Sequence, residues 1–235
     1  MKQFDHVHCE QCRQRHSSIF CNTDHEVLAE LSDSKSCMIY KKGDTLFREG
    51  GHAFGIYCIN GGKIKLSVTG EEGKEQIVRM AKTGDVLGYR AVLSAERYAV
   101  TAVALEDSNV CFIPKDQFLK ALKGDGNLSL ETMKLLSYQL REAELKITHL
   151  AQKPVRERLA ECLLFLKATY GFDNGTQCIA VQLSREDIAN LVGTATETAI
   201  RLLSELNRDN VIELSGKKIN ILNMKELVQI ANLNG

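Results

Sequence analysis

Two periodicities divide the chain. From Met38 to Ile113 the apolar positions come in short runs of period two. Glycine turns break them at Gly43-Asp44, Gly50-Gly51, Gly61-Gly62, Gly70 to Gly73 and Gly84-Asp85. Lys63-Ile64-Lys65-Leu66-Ser67-Val68 alternates strictly, the pattern of a half-buried strand. Residues 54–60, 76–80, 99–105 and 110–113 read as further strands, and their near-regular spacing predicts an antiparallel barrel or jelly-roll-like β-roll. A short helical pattern (Glu26, Leu28, Leu31) precedes this region near Asp24.

From Leu128 the period becomes helical and stays so to about Ala151. Met133, Leu136, Leu140, Ala143, Ile147 and Leu150 recur at alternating spacings of three and four, a heptad seam suited to a parallel homodimer. The competing reading packs this helix on the chain's own β-roll through Leu135 or Leu145. Pro154 breaks the helix. Val155, Leu159, Cys162, Leu163 and Leu166 then face inward on the next one, and residues 177–183 read as a short strand.

The stretch Leu183 to Asp209 predicts two helices around a tight turn at Gly193. Ser184 with Asp187 is a capping-box start. Ile188, Leu191 and Val192 form the inner stripe of the first helix; Ala199, Leu202, Leu203 and Leu206 form that of the second. Thr196, Glu197, Ile200, Arg201 and Ser204 share the opposite face at spacings that fit a DNA major groove. Two blander readings stand beside this one: Thr194-x-x-Glu197 as a capping box, and Glu197 with Arg201 as a surface ion pair. Residues 211–214 and 218–222 around Ser215-Gly216 complete a winged helix, with Lys217 and Lys218 at its tip and within reach of phosphates.

Composition narrows the setting. The 235 residues have room for two modest domains, and 44% hydrophobic content with mean hydropathy −0.18 is ordinary for a globular protein. No apolar run approaches the roughly 20 residues of a membrane span, and the start has no apolar core of a secretory signal. The expectation is a cytoplasmic chain, in which eight cysteines argue for thiols or metal ligands rather than disulfides. Net charge is zero, and from Lys153 onward ten Lys/Arg match ten Asp/Glu. Any positive surface is therefore local, and non-specific affinity for nucleic acid modest. There is no Gly-rich phosphate loop, nucleophile–base pair or second cofactor motif, so an enzyme is not expected.

Glu197-Thr198, Arg201, Leu202-Leu203, the upstream Arg156-Glu157-Arg158-Leu159-Ala160 and the Gly216 hairpin together resemble the Crp–Fnr family of bacterial transcription regulators. So do KKGDTLFREG, GKIKLSV and GDVLG in the β-roll, and the resemblance spans nearly the whole chain. It implies an α+β protein in four parts. These are an N-terminal arm at 1–24, a cyclic-nucleotide-binding-like β-roll at 25–127, a dimerisation helix at 128–152 and a winged helix-turn-helix at 153–235. It implies a homodimer on a palindromic double-stranded DNA site, with RNA polymerase as a partner. Glu197 and Arg201 read bases, with Thr196, Ile200, Ser184, Lys217 and Lys218 as further DNA contacts. The nucleotide-binding members carry a carboxylate and an arginine in their phosphate cassette. Here the corresponding segments read Gly88-Tyr89-Arg90 and Arg97-Tyr98-Ala99, so cyclic AMP is not expected to bind and Arg90 and Arg97 are expected to be solvated.

Cysteines mark the other site. Cys9-x2-Cys12, Cys21 and Cys111, the last in a segment resembling the one where Fnr proteins hold a fourth thiolate, imply a four-cysteine iron–sulfur (4Fe–4S) site. Eight residues separate Cys12 from Cys21, more than in those proteins, and His16 lies in the gap, with His6 and His8 earlier on the arm. Zinc held by three cysteines and a histidine, or no metal at all, therefore stays open. An iron–sulfur redox protein and a small-ligand-responsive regulator are the competing functions. Cys37, Cys58, Cys162 and Cys178 read as core residues.

Overall fold

The computed structural model describes residues 8–173 and 175–232, so His6 lies outside the described residues. Two short 3₁₀ turns, Cys9–Gln11 and Arg13–Ser17, lead into α1 (His25–Ser34). Eight strands follow: β1 (Ser36–Tyr40), β2 (Thr45–Phe47), β3 (Gly55–Gly61), β4 (Lys63–Thr69), β5 (Glu75–Lys82), β6 (Val86–Leu87), β7 (Thr101–Ala104) and β8 (Ser108–Pro114), with α2 (Tyr89–Ser94) between β6 and β7. Then come α3 (Lys115–Gly124), α4 (Gly126–Gln152), α5 (Val155–Tyr170), α6 (Arg185–Val192), α7 (Thr196–Arg208), β9 (Ile212–Ser215), β10 (Lys218–Ile221) and α8 (Met224–Ile230). No helix among the described residues is long and apolar enough to cross a membrane. The backbone groups into two compact units. One runs up to Val68 and resumes at Val78–Arg141; the other joins Thr69–Ile77 to the chain from Glu142 on.

The eight strands before α3 form two four-stranded sheets, ordered β1-β8-β3-β6 and β2-β7-β4-β5. Alternation decides what each face meets. On β3, Ile59 turns into a core with Phe47, Ile64, Leu66, Ala102 and Val110. Ile56 turns the other way, into a second core with Phe20, Leu28, Leu31, Ile113, Phe118 and Leu128. Leu135 of α4 packs in part against this second core, as the own-β-roll reading of that helix anticipates, and so does the seam position Leu136, whereas Leu145 is exposed.

Asp125 fastens two distant segments. It is 5% exposed, and its carboxylate accepts the backbone N–H groups of Asn127 (2.8 Å) and Leu128 (3.0 Å) at the start of α4 and of Asp24 (2.7 Å) before α1. Burial works to raise its pKa, but these three donors outweigh it and hold the carboxyl below the usual range. Asp125→Ala leaves all three donors without partners and is expected to cost about 2 kcal/mol in urea unfolding at pH 7. A depressed folded pKa means the contribution is full above the ordinary Asp value near 3.9 and fades as pH falls through the lower folded value. The wild-type advantage should narrow below about pH 4; a constant gap down to pH 2 would contradict it.

Two sequence expectations need correction. Residues 177–183 are not a strand. They make isolated bridges, Cys178 with Asn220 and Ile179 with Phe172, because only Gln177 to Ile179 runs close enough to β10 to share its hydrogen bonds. Disulfides were not expected, yet Cys37 and Cys111 are bonded to each other, 74 residues apart. Cys37 is therefore a half-buried half-cystine rather than a plain core residue. The reason is register: β1 and β8 set these residues directly opposite, which composition cannot reveal. Cys162 and Cys178 are buried, and burial pushes the Cys162 thiol up to about 12, as for an inert core sulfur.

Candidate nucleic-acid interface and thiol cavity

The helix-turn-helix is assembled from local signals. Asp187 N–H donates to Ser184 Oγ (2.9 Å), and Ser184 N–H donates to Asp187 Oδ2 (3.1 Å), so the capping box closes. The Ser184 hydroxyl also donates to that carboxylate at 2.6 Å, so its side chain is engaged by α6 itself. Gly193 ends α6 with φ +75°, where a Cβ would come within 2.8 Å of Leu150 Cδ2; glycine is required there. In α7, Ala199, Leu202, Leu203 and Leu206 are buried. The N-cap is Ala195, with no side-chain cap, so Glu197 is not part of a capping box at Thr194.

The opposite face of α7 is open. Glu197, Ile200, Arg201 and Ser204 are exposed and Thr196 is half-buried at the first turn. Arg201 does not pair with Glu197. Its Nη1 donates to Glu205 at 2.6 Å, and Glu205 is also 3.9 Å from Arg156. With the Arg201 side chain 64% exposed, an i,i+4 pair is worth only about 0.3–0.5 kcal/mol, little against a competing acceptor. Lys217 and Lys218 are exposed at the turn between β9 and β10.

Two arginines hold this surface in shape. Arg158 donates through Nε to Val192 O (3.2 Å), through Nη2 to Gly193 O (3.2 Å), and through Nη1 to Lys153 O (2.9 Å) and Leu150 O (3.3 Å). It thereby satisfies carbonyls at the C-terminal ends of α6 and α4, where a cation is favoured. Arg185 Nη2 donates to Gly216 O at 2.8 Å and ties α6 to the wing; its burial lowers its pKa from the usual arginine value. In the sequence Arg158 figured only within a flanking match, and nothing marked Arg185. Arg158→Leu is expected to lower the stability of the second unit by about 2–4 kcal/mol in thermal or urea unfolding, since four carbonyls lose a charged donor. Arg158→Lys, a point charge without the planar fork, should recover only part. An unchanged midpoint for Arg158→Leu would rule the role out.

The heptad positions of α4 are open in the single chain. Met133 is 57%, Leu140 62% and Ile147 68% exposed, and Leu150 and Ala143 lie exposed in line with them. Leu136 is half-buried, shared with the second core of the first unit.

Four cysteines line one cavity beneath the 3₁₀ turns: Cys9, Cys12, Cys58 and Cys111, with Lys35 and Asn60 among the other walls. Its empty volume of about 540 Å³ includes space open to solvent. Cys9 N–H donates to Ser32 Oγ (3.1 Å), Lys35 Nζ donates to Cys9 Sγ (3.3 Å), and the Cys12 thiol donates to Asn60 Oδ1 (3.6 Å). Burial pushes the Cys58 thiol far above its ordinary value. The Cys9 and Cys12 sulfurs push it the same way and the Lys35 ammonium opposes them, so all four groups sit within electrostatic reach. Cys21 is half-buried but does not line the cavity, and His16 is exposed. Among the described residues no three His, Cys, Asp or Glu side chains converge on a single metal ion. Tyr89 is 1% exposed, in the core where nucleotide binders place a carboxylate; Arg90 and Arg97 are exposed, the latter donating to Gly50 O at 2.8 Å.

The comparisons agree with this layout. The cyclic nucleotide-binding domain family matches residues 38–125, and the Crp-like helix-turn-helix domain family matches residues 157–230. The fumarate and nitrate reduction regulatory protein of Yersinia pestis is 33% identical over 232 residues, covering 96% of this chain and 90% of that protein. The transcriptional activator protein anr of Pseudomonas aeruginosa is 30% identical over 194 residues, covering 81% and 78%. Among solved structures, a Crp/Fnr-family transcriptional regulator of Eubacterium rectale superposes with a TM-score of 0.75 at 21% identity, over 91% of this chain and 97% of that one. FixK2 of Bradyrhizobium japonicum gives 0.75 at 25% identity, over 83% and 96%.

Proposed function

We propose, from the premise that this chain belongs to the Crp–Fnr family of transcription regulators and is a DNA-binding regulator rather than an enzyme, that it reads a palindromic site as a homodimer and couples that reading to oxygen or redox state through its cysteines. The observation that carries the DNA reading is the outer face of α7. Glu197, Ile200 and Arg201 stand exposed at i, i+3 and i+4 on a helix whose other side is fully buried. Arg201 and Glu197 take base edges, with Thr196 and Ile200 beside them; Lys217, Lys218 and the Ser184 end of α6 meet the sugar–phosphate backbone. The exposed row Met133, Leu140, Ala143, Ile147 and Leu150, with Leu136 at its edge, becomes the dimer seam. RNA polymerase is the further protein partner, and the cytoplasm the place of work.

The cysteines support a cluster better than a single ion. Of the residues expected from the sequence, Cys9, Cys12 and Cys111 share one cavity with a further cysteine, Cys58, and four thiolates are the donor set that would hold an iron–sulfur cluster. When bound, a cluster supplies the redox-sensitive centre; the chain's part is to hold the thiolates in the shelter of α1 and the 3₁₀ turns. A cyclic-AMP-responsive regulator is the second reading, and Tyr89 in place of the carboxylate speaks against it.

Anaerobic purification tests the whole reading. The protein should show broad visible absorption that bleaches in air, and footprinting should protect two symmetric half-sites about 10–10.5 bp apart, or a multiple. A colourless protein removes the cluster; a single asymmetric half-site removes the dimeric reader.

A further inference from the structure

The cysteine row across the first sheet has more in it than the N-terminal motif suggests. In the register of β1, β8 and β3, Cys37 faces Cys111 and Cys111 faces Cys58. Residues paired across antiparallel strands point to the same side. That side is given by their i±2 neighbours: Ile113 on β8 and Ile56 on β3 both enter the core with Leu28, Leu31 and Phe20. The 3₁₀ turn Cys9–Gln11 lies beside it, with Cys9 packed on the same core. Three sheet cysteines therefore look toward the segment that carries Cys9 and Cys12. Cys21 follows Phe20 at the far end of that segment, with its N–H on Ser18 O (3.2 Å), and takes no part in the cavity.

We infer that the fourth thiolate of the cluster is Cys58, so that the ligand set is Cys9, Cys12, Cys58 and Cys111, with Cys21 outside it. The inference rests on the cluster reading above. It accounts for the eight-residue gap between Cys12 and Cys21: with the fourth donor on β3, the arm has only to place a Cys-x2-Cys pair over the sheet. It also defines Cys37. In the disulfide, Cys111 is not a thiolate and cannot ligate, so Cys37 and the cluster are alternative partners of one sulfur. A thiol reductant, giving two electrons and two protons to the disulfide, returns both cysteines to the thiol form before iron enters.

The test is anaerobic reconstitution of the full chain with ferrous iron, sulfide and dithiothreitol, reading iron and sulfide content and the visible spectrum. Wild type should take up about four iron and four sulfide per chain. Cys58→Ala should fall to the level of a Cys9→Ala control, whereas Cys21→Ala and Cys37→Ser should load as wild type. Full loading of Cys58→Ala, or loss in Cys21→Ala or Cys37→Ser, would overturn the assignment and leave the cluster itself standing. A wild type that takes up no iron would remove the cluster, and this inference with it. Because Cys58→Ala could misfold, alkylation of reduced wild type mapped by mass spectrometry gives an independent reading. Cys21 should label equally with and without the cluster, while Cys9 and Cys12 become protected. Cluster-dependent protection of Cys21 would count against Cys58.

Discussion

Arg201→Lys is expected to weaken binding to the cognate palindrome by about 1–3 kcal/mol per half-site while leaving affinity for random DNA at the same salt nearly unchanged. Lysine keeps the charge that attracts phosphates. It loses the planar fork that can bond the O6 and N7 acceptors of a guanine together. The structure adds a control. Arg201 rests on Glu205 in the free protein, so Glu205→Ala releases it at a cost of no more than about 0.5 kcal/mol and should not imitate Arg201→Lys. Fluorescence anisotropy on specific and scrambled duplexes reads the split. Equal losses on both would make Arg201 a phosphate contact and move sequence reading elsewhere on α7.

Ala143→Asp should dissociate the dimer, by about 3–5 kcal/mol if both introduced carboxylates are buried at the two-fold axis without a cation, or roughly a hundredfold or more in Kd. The wild-type seam carries no ionisable residue. Glu142 is half-buried and has a partner of its own, and Glu144 is exposed off the stripe. Met133, Leu140, Ile147 and Leu150 would each contribute about 1.5–3 kcal/mol on full burial, twice over in a symmetric pair. The result, roughly 12–24 kcal/mol, lies above most of the roughly 4–15 kcal/mol range of association costs without help from a metal. Sedimentation of aerobic, chelator-treated protein at micromolar concentration should therefore still give a dimer, so that any cluster acts on DNA-binding geometry and not on assembly. A monomer that dimerises only on reconstitution would refute this, and an unaffected Ala143→Asp dimer would take Ala143 out of the seam.

Much of the DNA-facing half could be read residue by residue, because its determinants are close neighbours in the chain. Ser184 caps the helix three residues before Asp187, Gly193 turns it, and the three-and-four spacing of Ala199, Leu202, Leu203 and Leu206 fixes which side of α7 is buried. Five of the eight β-roll strands (β3, β4, β5, β7 and β8) were legible for the same reason, since alternation and glycine turns are local; β1, β2 and β6 were not. Residues 177–183 misled because an apolar run of that length has strand composition without enough of a partner strand to pair with.

The sequence by itself determined the order of elements, the inward faces of the helices, the exposed stripe on α4, the family, and three of the four cysteines that line the cavity, Cys9, Cys12 and Cys111. Only the tertiary structure decided which distant groups meet. Asp125 reaches back across 101 residues to the Asp24 backbone, Arg158 closes two helix ends, and Cys37, Cys111 and Cys58 stand side by side. Each of these depends on strand register or helix packing, where a shift of one residue would turn every side chain to the other face. Register is set by the burial of whole sheets, so no local pattern around Cys58 could reveal that it faces Cys111.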